Sequence, residues 1–274
     1  MKQIKTLIKN LYQVTMKPEM RVLPGNLAFF FVLSIVPIIT LIGFIASYFS
    51  ISIDSLVDFL LSTLPKEVTK VLLPFIEGKG IDGNIIFYMI TGFIVASNGA
   101  HSLILTSNIL YEIPHSEFLK RRIKALFLTI LMVSLFFFVV VFLAFGNIIV
   151  KFILDLEFMR QVSESVYYLF VFLKWPIAFF CIFFLVKMIY TMAPDERIPS
   201  RYVNNGAIFT TLAWSLVTAI YSYYVANFTN YDIFYGSLSN IIVLMMWVYI
   251  LSYILVVGIA INTEGYKKDA NKIV

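Results

Sequence analysis

Charged residues are scarce in this chain. Asp, Glu, Lys and Arg make up 14% of its 274 residues, whereas 60% are hydrophobic. Soluble domains usually carry about 25% charged residues. Whole blocks of about twenty positions lack charge, which matches the roughly 30 Å hydrocarbon core of a bilayer at about 1.5 Å per helical residue. The composition therefore excludes an ordinary soluble domain and predicts an all-α, polytopic membrane helical bundle.

Metal-binding and nucleophilic side chains are scarce too. The chain has two histidines, His101 and His115, and one cysteine, Cys181. These residues cannot supply a closed zinc site, and a single cysteine forms no intrachain disulfide. Walker A, HExxH and GxSxG sequences are missing, and the predicted spans hold no paired carboxylates. We therefore predict that the protein is not an enzyme and uses no metal or cofactor.

Six apolar runs are long enough to cross a bilayer. They are predicted at 26–49, 84–108, 124–149, 167–191, 204–226 and 238–261. The first run begins after about twenty mixed residues and is too long for a signal-peptide core, so we expect no cleavable signal. The whole chain, 1–274, is expected to form a single membrane domain.

Basic residues predict the orientation of these spans. Of the 21 lysines and arginines, 14 lie in the amino-terminal segment, the connections after spans two and four and the carboxy-terminal tail, against 5 in the other connections. Cytoplasmic loops are enriched in lysine and arginine, so both termini are predicted to be cytoplasmic. The net charge of +5 is then mainly a topology signal, and we predict no nucleic-acid partner.

Two segments outside the spans have amphipathic patterns. Residues 1–22 place Ile4, Leu7, Ile8 and Leu11 on one helical face, which predicts a cytoplasmic helix in the headgroup region. Residues 51–80 predict short outer amphipathic helices that are interrupted at prolines. This outer segment could roof an opening or serve as an interfacial connector.

Polar side chains inside the spans are the candidate functional residues, because unpaired polar groups are costly in hydrocarbon. In span two, Thr91, Asn98, Ser102 and Thr106 follow one helical stripe, with His101 beside it. Such a stripe can hold helices together by hydrogen bonds or line a polar cavity, and the histidine could relay protons. The full candidate set for a cavity or transport path is Ser34, Pro37, Thr91, Asn98, His101, Ser102, Thr106, Lys174, Thr211, Ser215 and Thr218.

Two members of this set have specific expectations. Pro37 removes a backbone hydrogen bond within span one, so a kink or an open carbonyl is expected there. Lys174, near the start of span four, can extend its ammonium group to an interface. If it instead faces inward near Pro176, it could meet an anionic headgroup or solute.

The carboxy-terminal third resembles a family signature. The run YGSLSNIIVLMMWVYILSYILVVGIAIN contains a Tyr-Gly pair, a Trp-x-Tyr, then a glycine and an asparagine. These signature residues are Tyr235, Gly236, Trp247, Tyr249, Gly258 and Asn262. Together with the upstream GNLAFFFVLSIVP and the six-span layout, they make the chain similar to the YihY/BrkB family of bacterial membrane proteins.

The resemblance implies a multi-pass protein of the bacterial inner membrane without a settled biochemical activity. Some members were once labelled ribonuclease BN, although metal-assisted phosphodiester cleavage needs clustered carboxylates or histidines. The chain departs from the family at two positions. Ala260 stands where many members have an acid, and Asn98 stands where many have a basic residue.

Two functions stay open at this point. The leading hypothesis is a transporter-like protein that moves or presents a lipid, amphiphile or small solute without its own ATPase, with membrane lipids as partners. The alternative is a non-transporting scaffold or assembly factor for envelope proteins. The sequence does not specify the substrate, direction, coupling ion or oligomeric state.

Overall fold

The computed structural model describes residues 16, 18–34, 54, 61, 85–134, 163–228 and 236–270. Within these ranges the chain is helical and contains no strand. The helices are α1 (23–34), α2 (Ile85–Tyr111), α3 (118–134), α4 (Ser163–Met192), α5 (Ser200–Phe228) and α6 (Ser239–Ala270). Short 3₁₀ turns at Pro18–Arg21 and Gly236–Leu238 precede α1 and α6. The predicted all-α fold is confirmed.

In the described part of the chain, four helices are long and apolar enough to cross a bilayer. Their candidate spans are Ile90–Tyr111, Tyr167–Met192, Ser200–Val225 and Ser239–Lys267, which match predicted spans two, four, five and six. The described parts of α1 and α3 cover the beginnings of predicted spans one and three. The rest of those two spans lies outside the described residues, as do residues 1–15 and most of 51–80. The cytoplasmic placement of the termini stays a prediction.

Helix α6 is longer than the predicted span, which ended at residue 261. It has 32 residues and ends at Ala270, a length of about 48 Å at 1.5 Å per residue. The additional turns are polar, but they are packed: the ring of Tyr266 lies 5.9 Å from that of Tyr111 and 5.3 Å from that of Tyr202. Hydropathy predicts where the apolar run ends, whereas the helix continues beyond that point because its last turns pack against neighbouring helices.

The connection between α2 and α3 turns back along α2. Ile113 N donates to the Asn108 carbonyl oxygen at 2.9 Å and Glu112 N to that of Ile109 at 3.2 Å, the two bonds of a Schellman end. Glu112 takes the left-handed position, with φ of 58°. His115 Nδ1 then lies 3.2 Å from Asn108 Nδ2. The first turns of α3 are thereby brought beside α2.

The main core lies at one end of the bundle. Its most buried apolar residues come from α1, the second halves of α2 and α6, the start of α3, the end of α4 and the start of α5. They include Leu27, Leu103, Ile104, Ala125, Leu128, Val186, Ile189, Val203, Ala207, Leu255, Val256 and Ile259. The other halves of α4 and α5 carry exposed apolar side chains such as Phe172, Trp175 and Leu216. The α2–α3 and α4–α5 connections close the core at this end, which positions the clusters described next.

Candidate functional site

Helices α5 and α6 cross at two glycines. A Cβ atom on Gly206 would lie 2.2 Å from the Gly258 carbonyl oxygen, and one on Gly258 would lie 2.2 Å from both Thr210 Oγ1 and the Tyr190 hydroxyl oxygen. Real Cβ atoms do not approach so closely, so the crossing depends on glycine at both positions. Small residues of this kind let helices in a membrane bundle approach closely.

Buried hydrogen bonds join three helices at this crossing. Gly206 N donates to Asn262 Oδ1 at 2.7 Å, and the Tyr190 hydroxyl donates to the Leu255 carbonyl oxygen at 2.9 Å. Because the tyrosine proton is used there, Thr210 Oγ1, at 2.6 Å, donates to the tyrosine oxygen. We call these residues, with Gly258, the three-helix junction. It explains the signature glycine and asparagine of α6 by packing.

Asp195, in the connection between α4 and α5, ties that connection to α2 and α3. Its Oδ2 accepts from Asn108 Nδ2 at 2.7 Å and from Ser116 N and Oγ at 3.0 and 2.9 Å. Its Oδ1 lies 3.4 Å from Lys124 Nζ, and its side chain is 8% exposed. In return, Asp195 N donates to Asn108 Oδ1 at 2.8 Å.

The surroundings of Asp195 keep it ionised. Burial acts to raise the pKa of this carboxyl, but hydrogen bonds from Ser116 and Asn108 and the charge of Lys124 lower it below the ordinary value. Its oxygens are occupied by donors, so the arrangement fits a structural tie better than a proton acceptor.

A cation from α3 lies against the polar stripe of α2. Arg122 Nη1 donates to Asn98 Oδ1 at 2.8 Å, and Nη2 donates to the Ile94 carbonyl oxygen at 2.9 Å. The guanidinium group therefore lies at Asn98, which replaces the basic residue that many family members have in this span. The positive charge comes from the neighbouring helix instead.

His101 lies beside this arginine. Its ring packs edge-on against Phe118, with the ring centroids 6.1 Å apart, and the positive charges of Arg121 and Arg122 act on it. Among the described residues, His101 Nε2 and Arg121 Nε are enclosed yet have no hydrogen-bond partner. The end of α2 and the start of α3 thus hold two arginines and a histidine with unused polar capacity.

The other predicted residues of α1 and α2 are placed as follows. Ser34 Oγ is buried 3.0 Å from the Ala96 carbonyl oxygen, and Ser102 Oγ accepts from Asn26 Nδ2 at 3.4 Å. Thr106 is buried, with no hydrogen bond from its Oγ1 to any described residue. The α2 stripe therefore faces α1 and α3 and is used largely for contacts between helices. Thr91 is half-buried on α2, and Pro37 lies outside the described residues.

The α5 candidates Thr211, Ser215 and Thr218 share one helical face, on which Thr211 is buried and Ser215 is exposed. Thr211 and Ser215 donate to carbonyl oxygens of their own helix at 2.8 and 3.0 Å, while Trp214 Nε1 donates to the Leu251 carbonyl oxygen of α6 at 2.9 Å. Thr218 is half-buried. Lys174 is half-buried on α4.

The remaining signature residues surround the start of α6. Gly236 has φ of +52° in the turn before the helix, a conformation that favours glycine. Tyr249 is exposed, and its ring lies 6.4 Å from that of Tyr253. Trp247 is half-buried, and Tyr235 lies outside the described residues.

Sequence reasoning missed Arg122, Asp195 and Tyr190 as organising residues. The sequence pattern places the two charged residues outside the apolar runs and Tyr190 within one. Their partners lie 24, 87 and 65 positions away, so one sequence carries no local signal of the pairing. Within the described ranges, no three His, Cys, Asp or Glu residues form a group that could hold a metal ion.

Comparison with known proteins gives matches over most of the chain. Residues 11–273 match the family model described as "Virulence factor BrkB". The YfkH protein of Bacillus subtilis (strain 168), named as ribonuclease-like, is 27% identical over 249 residues, or 89% of each chain. No solved structure matches.

Membrane proteins named UPF0761 match over shorter stretches. One from Alteromonas mediterranea is 36% identical over 69 residues, covering 25% of this chain and 23% of that protein. One from Pseudoalteromonas atlantica is 38% identical over 80 residues, covering 29% and 25%.

Proposed function

The chain belongs to the BrkB family, and from this premise we propose that it is a transporter-like membrane protein. In this proposal it moves or presents a lipid, amphiphile or small solute without an ATPase of its own. The observation that carries the proposal is the position of Arg122, which donates to Asn98 on α2, a helix with a candidate membrane span.

Arg122 has more N–H donors than its two hydrogen bonds to α2 use, so it can also bind a ligand. A guanidinium group carries five N–H donors, and Arg122 directs one to Asn98 and one to the Ile94 carbonyl oxygen. Ionisable groups are costly among membrane helices and commonly mark the paths of substrates or ions. Some donors of Arg122 have no partner among the described residues, and its charge acts on His101. These donors therefore favour an anionic headgroup or solute.

Reconstituted protein tests this proposal. Liposomes with the purified chain are loaded with labelled anionic and zwitterionic lipids and, separately, with small organic anions. We expect faster movement of at least one anionic species, and a rate at least about tenfold lower in Arg122→Gln, since one charge-assisted bond is worth more than about 1.4 kcal/mol. Arg201→Gln, which removes an exposed cation from α5, should keep the wild-type rate. Natively folded wild-type protein that moves nothing in the panel would contradict the proposal.

The second candidate is a scaffold or assembly factor, and the three-helix junction favours it. Its glycines, tyrosine and threonine are fully packed, which suits a rigid platform. The scaffold function predicts a stoichiometric partner in crosslinked membranes and no movement of solute by the purified chain. A partner retained by Arg122→Gln, together with inactive liposomes, would favour this function over transport.

We further propose that the chain resides in the bacterial cytoplasmic membrane and has no nuclease activity. The basic asymmetry of the predicted loops supports the location. The scarcity of histidine, and the lack of grouped metal-ligating side chains among the described residues, support the second point. Cleavage of a structured RNA by the purified protein with Mg²⁺ or Zn²⁺, above the level of a mock preparation, would contradict it.

A further inference from the structure

Cations are concentrated where α3 begins. Lys120, Arg121, Arg122 and Lys124 fall within five positions. Lys124 is engaged by Asp195 and by the Pro194 carbonyl oxygen. The two arginines are not neutralised by any carboxylate among the described residues, so they carry net positive charge at this surface.

Polar atoms without partners among the described residues are found on α2 and α3. Arg121 donates through Nη1 to the Ser116 carbonyl oxygen, but its Nε has no partner within the described part of the chain. The same is true of His101 Nε2, on which the charges of both arginines act. Enclosed polar atoms without partners are costly. An anion with several oxygen atoms would accept from the donors of Arg122 that no described residue takes. It would also accept from Arg121 and from His101 protonated at Nε2 once these enclosed side chains turn toward it.

Exposed apolar surface flanks these side chains on two helices. On α3, side chains spaced three or four residues apart form one exposed face, namely Leu119 (68% exposed), Ile123 (61%), Phe127 (57%) and Ile130 (52%). On α2, Ile90 and Ile94 are exposed at 57% and 46%, and the Ile94 carbonyl oxygen holds Arg122. A small soluble anion would have no use for this apolar surface, whereas acyl chains would lie on it.

We infer that Arg121, Arg122 and His101 form a phosphate site for an anionic phospholipid, whose acyl chains lie on the exposed apolar faces of α2 and α3. Arginine matches phosphate through paired N–H donors. Basic pockets between membrane helices on the cytoplasmic side bind anionic headgroups. The connection after predicted span two, which contains both arginines, is the most basic of the predicted cytoplasmic connections. The inference names a substrate class for the proposed function and rests on it only for movement of the lipid, because binding needs no transport.

Binding to the full-length chain in detergent tests the phosphate site. Native mass spectrometry is used to titrate the protein with phosphatidylglycerol, with phosphatidylcholine, and in a separate arm with inorganic phosphate as competitor. We expect phosphatidylglycerol to bind more tightly than phosphatidylcholine, and Arg122→Gln and Arg121→Gln each to weaken its binding about tenfold. Arg201→Gln is the matched control, since its guanidinium group lies on the Tyr202 ring at 4.6 Å in α5, and it should bind as the wild type does.

Three results would overturn the site. They are wild-type affinity in both Arg121→Gln and Arg122→Gln, equal affinity for the two lipids, and displacement of the lipid by millimolar inorganic phosphate, which would identify a free anion as the ligand. If the variants do not fold, wild-type protein is photo-crosslinked with a diazirine-bearing phosphatidylglycerol. Labelled peptides should come from 90–101 and 118–130, and exclusive labelling elsewhere would also overturn the site.

The two proposals fail separately. If the wild-type chain binds phosphatidylglycerol through the arginines but moves no lipid in liposomes, the phosphate site stands and the transport function falls. If liposomes move lipid while binding is insensitive to Arg121 and Arg122, the transport function stands and the phosphate site falls.

Discussion

Replacing Gly258 by alanine should open the three-helix junction. The added methyl group would lie 2.2 Å from both Thr210 Oγ1 and the Tyr190 hydroxyl oxygen, and 3.0 Å from Tyr190 Cζ. Favourable carbon contacts begin at about 3.5 Å, so either the helices must separate or the Tyr190 side chain must rotate out of the junction. Either movement breaks the 2.6 Å bond between the two hydroxyls and the 2.9 Å bond to the Leu255 carbonyl oxygen.

The cost of Gly258→Ala follows from these losses. Two buried hydrogen bonds contribute about 1 kcal/mol each, and overpacking costs about 1–3 kcal/mol. The higher helix propensity of alanine returns up to about 1 kcal/mol. The net loss in the free energy of unfolding is therefore about 2–5 kcal/mol, and the midpoint should fall by roughly 4–20 °C at about 2–4 °C per kcal/mol.

The measurement is thermal unfolding in detergent, followed by circular dichroism. Gly265→Ala is the matched control on the same helix, because a Cβ atom there meets nothing within 4 Å. It should melt at or slightly above the wild-type temperature. If Gly258→Ala melts with Gly265→Ala rather than below it, the close crossing of α5 and α6 is wrong.

Two further substitutions are tested by the same melting experiment. Asp195→Asn should lower the midpoint at neutral pH, because it loses charge-assisted bonds worth about 1.5–3 kcal/mol. The folded-state pKa of Asp195 is lowered, so the stability that its carboxylate contributes is present above the unfolded pKa of about 3.9. This contribution is lost as the pH falls through the folded-state pKa. A difference in midpoint between wild type and Asp195→Asn that is as large at about pH 3 as at neutral pH would contradict this. Glu112→Gly should be neutral or stabilising by up to about 1 kcal/mol, since it relieves a left-handed residue at the loss of an exposed pair with Lys267. Glu112→Val should destabilise, and a wild-type midpoint for it would exclude the left-handed end of α2.

The helices were predictable because the bilayer imposes their length and composition. Apolar runs located α2, α4, α5 and α6, with most ends within about four residues. The end of α6 was not predictable in this way, since its last turns are polar and are held by the packing of Tyr266 against Tyr111 and Tyr202. The end of α2 gave no signal either, because Glu112 occupies a position where glycine is the usual residue.

The candidate sites were predictable only as helix faces. Spacing placed Asn98, His101 and Ser102 near one stripe, and this needs only the period of an α-helix. Which helix that stripe meets depends on tertiary contacts, and Arg122 reached it from a segment interpreted solely as a topology signal. A single sequence shows the periodicity and the length of its helices, so the polar face of a helix can be predicted. It does not show which residues that are distant in sequence lie close together, so contacting pairs cannot be predicted.

The distribution of burial bears on which residues serve function. Lipid chains are as apolar as leucine side chains, so little drives apolar side chains inward within a bilayer, and close packing relies on small residues and hydrogen bonds. In this chain the glycine crossing and the Asp195 contacts both lie at the well-packed end, whereas the other halves of α4 and α5 expose large apolar side chains. We therefore expect substitutions at Gly258 and Asp195 to lower stability before they affect any transport. Arg122 is half-buried, and some of its donors have no partner within the described ranges. We therefore expect its substitution to impair transport before it lowers stability.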